Sequence, residues 1–90
     1  MTSTLQIKVA HPEGLHARPA AIFVKTASQF KSDINVKNLT EQNGPVNAKS
    51  ILSVLTLGVM KDHDVEIVAE GEDSDAAIQT FKELIENNFE

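Results

Sequence analysis

The sequence predicts an α+β fold: an open-faced β-sandwich of order β-α-β-β-α-β-α, with a four-stranded antiparallel sheet carrying three helices on one face. Three observations lead there. Stretches with apolar residues at every second position alternate along the chain with stretches at helical spacing. Clusters of turn residues separate them. Ninety residues also make one domain, residues 1–90, whose single core is thin enough to favour regular, economical packing.

In the first stretch, Leu5, Ile7 and Val9 alternate with polar neighbours, as in a strand buried on one face. His11-Pro12-Glu13-Gly14 ends it with turn residues. From Ala17 to Phe30 the spacing becomes helical, with Ala20, Phe23, Val24 and Ala27 on one stripe and Pro19 near the start, where a missing N–H costs nothing. Ile34 and Val36 resume the alternation, and Asn43-Gly44-Pro45 reads as a turn into a short strand around Val46. Ser50 precedes a brief apolar helix, Ile51 to Leu57, stopped by Gly58 in the position of a C-terminal cap. Val65, Ile67 and Ala69 make another strand. Asp73, Ser74 and Asp75 open the last helix, whose apolar stripe is Ala77, Ile78, Phe81, Leu84 and Ile85.

Composition excludes several functions. Lys+Arg 8 against Asp+Glu 13 leaves a net charge of −5, the wrong sign for a nucleic-acid binder. The absence of cysteine removes disulfides, thiol catalysis and thiolate-bound metals together. His11, His16 and His63 are not spaced as metal ligands, so neither a metal nor a cofactor is expected. MTSTLQIKVA has no apolar core of signal-peptide length, and no run approaches a membrane span. A cytoplasmic monomer without membrane insertion is the expectation. Asn38-Leu39-Thr40 matches a glycosylation acceptor, which means little without a secretory signal.

The chemistry concentrates in Gly14-Leu15-His16-Ala17-Arg18-Pro19-Ala20. His16 falls just before the first helix, where the unpaired N–H groups of the first turn, those of Ala17 and Arg18 among them, form an anion site with the dipole. The Arg18 guanidinium matches phosphate geometry, and histidine is a nucleophile that can hold a labile phosphoryl group. On spacing alone, the simpler reading of His16 as a capping or surface residue stands ahead. No Ser–His–Asp arrangement competes with it.

The blocks GLHARPAAIFVKTASQF, VNAKSILSVLTLG and VEIVAEGED, in that order, resemble HPr, the histidine-containing phosphocarrier family of the bacterial sugar phosphotransferase system. The resemblance implies that His16 accepts a phosphoryl group on Nδ1 from enzyme I, charged by phosphoenolpyruvate. Arg18 attends the group, and enzyme IIA domains receive it. It also implies that the chain is a carrier rather than an independently turning-over enzyme. Ser50 corresponds to the family's regulatory serine, the target of an HPr kinase in some bacteria. A phosphate there would set about two negative charges beside an apolar patch, although serine also caps helices in its own right.

Ile51, Leu52, Val54, Leu55 and Leu57 make the short helix apolar nearly all round, more than one covered face can bury. Val54 and Leu57 are expected in the core, and Ile51, Leu52 and Leu55 in a partner-binding patch. Arg18, Ala21, Lys25 and Ser28 repeat along the first helix away from its apolar stripe and would extend that patch, with Lys25 as a cationic rim. Two segments depart from the family: Asn38 to Gly44 is longer than its usual hairpin, and Lys61-Asp62-His63 replaces a glycine turn, with His63 read as a turn residue. Two alternatives remain open. One is a related carrier of a nitrogen-regulatory or dihydroxyacetone branch, which the Ser50-Ile51-Leu52 block disfavours. The other is a regulatory domain that binds a small effector and transfers nothing.

Overall fold

The computed structural model describes residues 1–90, and their alternating and helical stretches resolve into seven elements. These are β1 (Thr2–Val9), α1 (Ala17–Ala27), β2 (Asp33–Asn38), β3 (Asn43–Asn47), α2 (Ile51–Leu55), β4 (His63–Glu70) and α3 (Ser74–Glu86). The order is the expected one. The strands form one sheet, β1-β4-β2-β3, in which every neighbouring pair is antiparallel.

The last strand in sequence therefore lies inside the sheet. Its inward residues Val65, Ile67 and Ala69 are completely buried, as a strand flanked on both sides and covered on one face requires. Helix α3 lies on β1 and β4, and α1 packs against α2 and α3. The Phe23 and Phe81 rings join α1 to α3 with centroids 4.8 Å apart, tilted by 40°. No helix covers the other face, where Thr4, Gln6 and Lys8 of β1 and Asp33 and Asn35 of β2 meet solvent. Gln6 donates to the Glu66 carboxylate across the strands at 2.7 Å, and Lys8 pairs with Asp64 at 3.8 Å. The sandwich is open on one side.

Several local expectations change. The turn between β2 and β3 is Leu39–Gln42, and Asn43-Gly44-Pro45 lies within β3. Tertiary hydrogen bonds hold that turn, since the Leu39 N–H donates to the Asp64 carbonyl at 2.8 Å and the Asp64 N–H to the Thr40 hydroxyl at 2.8 Å. Pro45 is tolerated because β3 is an edge strand. The register slips between Val36, opposite Val46, and Asn38, opposite Asn43, which absorbs the extra length. Helix α1 stops at Ala27 rather than Phe30, and α2 at Leu55, three residues short of Gly58. Asn38 is wholly buried, which disposes of the glycosylation match.

The Asp73 carboxylate makes no capping bond on α3. It accepts instead from the Lys31 N–H at 2.8 Å, the Ser32 N–H at 2.9 Å and the Ser32 hydroxyl, tying the α1–β2 connection to the start of α3. These donors, the Ser32 hydroxyl foremost, lower its pKa from 3.8 to about 2.

Candidate functional site

The approach to α1 is a tight turn resting on the segment after α2. Leu15 is fully buried, and its N–H donates to the Val59 carbonyl at 3.0 Å. Gly14 has φ +61°, and a Cβ there would fall 2.1 Å from the Val59 carbonyl oxygen. Only glycine fits so close a crossing. His11 opens the turn, accepting the Glu13 N–H on Nδ1 at 3.0 Å and meeting the buried Phe89 ring edge-on at 6.0 Å.

His16 then caps α1 in extended backbone, φ −126° and ψ 165°. Its side chain is half-exposed and makes no capping bond, and neither ring nitrogen has a hydrogen-bond partner in the chain. Ala17 follows at φ +51°, a left-handed conformation that costs an L-residue about 1 kcal/mol. The N–H groups of Ala17 and Arg18 have no acceptor, Pro19 has none to offer, and that of Ala20 only reaches the His16 carbonyl at 3.5 Å. The helix start thus presents two free donors.

Arg18 is exposed, and the only ion pair within 4 Å in the chain is Lys8–Asp64, so the guanidinium is uncommitted. The first turn of α1 holds no acidic residue. A lone cation at the positive end of a helix opposes the dipole, so Arg18 does not serve helix stability. With a free imidazole, two free N–H groups and a free cation together, this end of α1 is suited to a dianion attached to His16.

The exposed face of the same helix continues through Ala21, Lys25 and Ser28, whose hydroxyl donates to the Val24 carbonyl at 2.9 Å. Val54 of α2 and Leu57 just beyond it are buried, while Ile51, Leu52 and Leu55 are 39%, 74% and 38% exposed. Ser50 caps α2, its Oγ accepting the Ser53 N–H at 3.3 Å. Since α1 packs on α2, the two faces belong to one side of the molecule. Met60, 56% exposed and against Gly14, adds an apolar side chain that periodicity did not single out because it stands in an irregular segment. No three His, Asp or Glu side chains converge on a metal-sized site.

His63, expected in a turn, is instead the first residue of β4, opposite Val9 at the end of the inward-facing row Val65, Ile67 and Ala69. The left-handed turn position is Asp62, at φ +70°.

A family model described as the PTS HPr component phosphorylation site matches residues 3–87. Solved structures agree. This chain is similar to HPr-C-His from Thermoanaerobacter tengcongensis at 45% identity and a TM-score of 0.90, over 97% of this chain and 94% of that one. It is also similar to a phosphocarrier protein HPr from Bacillus anthracis at 31% identity and a TM-score of 0.86, over 93% and 96%. Among curated proteins, it is 47% identical over 80 residues to a multiphosphoryl transfer protein of Vibrio cholerae, covering 89% of this chain and 20% of that one. The chain spans about a fifth of the length of such relatives. An HPr dimer from T. tengcongensis is similar too, at 49% identity and a TM-score of 0.75, over 86% of this chain and 85% of that one. The fold defines the class of small open-faced α+β sandwiches. The chain belongs to the HPr family of the phosphotransferase system. No helix is long and apolar enough to cross a membrane.

Proposed function

We propose that this chain accepts a phosphoryl group on His16 from phosphorylated enzyme I, charged by phosphoenolpyruvate, and passes it to enzyme IIA domains. In the first step a P–N bond forms at Nδ1 of His16 as the bond from phosphorus to its carrier group on enzyme I breaks, the electron pair leaving with that group. In the second, a bond from phosphorus to the acceptor group of the enzyme IIA domain forms as the P–N bond breaks, its electron pair returning to the His16 ring. Such transfer is largely positioning and charge stabilisation, which a small domain can share with its partner. The observation that carries the reading is the uncommitted helix start. His16 has no partner, Arg18 no carboxylate, and the N–H groups of Ala17 and Arg18 no acceptor. The donor groups are in place before the charge arrives.

Ile51, Leu52 and Leu55 form the docking patch in this account, with Ala21, Lys25 and Ser28 beside it. The chain works as a monomer so that the patch stays free. Sedimentation at micromolar concentration gives the mass of one chain if so, and of two if it pairs. Ser50 is the regulatory position in bacteria that contain an HPr kinase. Phosphate there displaces the existing cap and sets a dianion beside Ile51 and Leu52. Accordingly, Ser50→Asp slows phosphorylation of His16 by enzyme I, and an unchanged rate counts against this regulation. The Ser50-Ile51-Leu52 block favours the sugar branch over the nitrogen or dihydroxyacetone branches. The transfer itself is tested with labelled phosphoenolpyruvate and enzyme I: acid-labile label enters this chain and not His16→Ala.

A further inference from the structure

The two segments that depart from the family, Asn38–Gly44 and Lys61–His63, meet in space at His63. The Met60 N–H lies 3.2 Å from His63 Nδ1, and Asn38 Nδ2 lies 3.3 Å from the same nitrogen. A backbone N–H can only donate, so Nδ1 is an acceptor and the neutral ring carries its proton on Nε2. Asn38 is equally determined. Its Oδ1 accepts the Glu41 N–H at 3.1 Å, and its Nδ2 donates to the Leu57 carbonyl at 3.0 Å, leaving the second amide hydrogen for His63. The His63 N–H in turn donates to the Met60 carbonyl at 3.1 Å. The imidazole thus ties the end of β2 to the segment Leu57–Met60.

That segment is the one on which the His16 turn rests. Val59 accepts the Leu15 N–H, and Gly14 lies in contact with Val59 and Met60. From His63 to His16 the connection runs through Met60, Val59 and Leu15 without a gap.

We propose that neutral His63 is a positioning residue for the His16 turn, and that protonation of its Nδ1 releases Met60 and Asn38 and slows phosphoryl acceptance at His16. The functional half rests on His16 being the acceptor; the structural half does not. The proton comes from solvent and occupies the lone pair that held two donors. Met60 N–H and Asn38 Nδ2 then face a third N–H; the exposed Met60 N–H turns to water, while the buried Asn38 amide loses an acceptor, which is destabilising. Histidine ordinarily changes charge between roughly pH 5 and 8, within a bacterial working range. The charged residues nearest His63 along the chain and across the pairing are Lys61, Asp62 and Asp64 beside it, Lys8 next to its partner Val9 on β1 and Glu41 in the β2–β3 turn. Lys8 is engaged with Asp64 and the Asp62 carbonyl, and none of the five hydrogen-bonds the imidazole.

The experiment is an NMR titration of the ¹⁵N-labelled chain from pH 8 to pH 5, with the three histidine rings read individually. Met60 and Leu15 amide shifts follow the His63 midpoint, and their hydrogen-exchange protection falls as His63 protonates. His63→Asn, whose carboxamide oxygen can stand where Nδ1 stood and does not titrate, keeps the protection and loses the pH response. His63→Leu loses roughly tenfold in protection at every pH, the equilibrium worth of about one hydrogen bond. Amides that follow the His11 or His16 midpoint instead overturn the proposal, as does full protection in His63→Leu. The rate of His16 phosphorylation by enzyme I and phosphoenolpyruvate is measured on the wild type and His63→Asn. A wild-type loss at low pH that His63→Asn lacks supports the functional half, and identical pH profiles overturn it.

Discussion

At the scale of single residues, the site is defined by groups without intramolecular partners. Arg18 is the sharpest case, a cation where the helix dipole favours an anion and no carboxylate balances it. Removing it should therefore help the isolated fold and harm the transfer. We expect Arg18→Gln to leave unfolding free energy unchanged or raised by up to about 0.5 kcal/mol in urea titration. The same variant slows phosphorylation of His16 severalfold. A large loss of stability instead would make Arg18 a structural residue. Much of this was legible in the sequence, because Gly14-Leu15-His16-Ala17-Arg18-Pro19 is a contiguous block whose parts act locally. What could not be read was the support beneath it. Val59 and Met60 reach Gly14 and Leu15 from more than forty positions away, and no local pattern announces a backbone crossing.

Two elements illustrate how packing divides roles. Helix α2 buries Val54 and leaves Leu52 74% exposed, although both are aliphatic and two positions apart. Val54→Ala should cost about 1–3 kcal/mol through the lost methyl groups and the cavity. Leu52→Ala should stay within about 0.5 kcal/mol of wild type, yet weaken enzyme I docking, seen as a raised KM for this chain. Equal destabilisation by both would refute the division. The start of α3 makes a second case. Asp73 holds Lys31 and Ser32, and its pKa lies at about 2 rather than 3.8. A depressed carboxyl pKa stabilises the fold fully above the unfolded value and progressively less as pH falls through the folded one. Unfolding free energy should thus fall between about pH 4 and pH 2 by a component missing from Asp73→Asn. Parallel wild-type and variant curves would contradict the assignment. The sequence had assigned Asp73 to the helix dipole, since its real partners lie 41 and 42 positions away and leave no periodic trace. The Leu39–Gln42 turn was hidden likewise, because bonds to Asp64 hold it while Asn43-Gly44-Pro45 carries the stronger local turn signal.

For the whole molecule, strand alternation and helical stripes were enough to specify the order and the open face, because each element buries one side only. A net charge of −5 coexists with a site face that presents Arg18 and Lys25, so local field and total charge differ in sign. The acidic remainder sits largely elsewhere, with Asp33, Asp64 and Glu66 on the strands of the uncovered sheet. The molecule thus offers the His16 helix start beside one apolar patch, on a scaffold that satisfies its buried polar side chains. The proposed function depends on His16 carrying the phosphoryl group. Its most direct measurement is the transfer of ³²P from phosphoenolpyruvate through enzyme I, with His16→Ala folded to the same stability as control. Acid-labile, base-stable label on the wild type alone is the predicted result, while equal label on His16→Ala, or none on either protein, would contradict it.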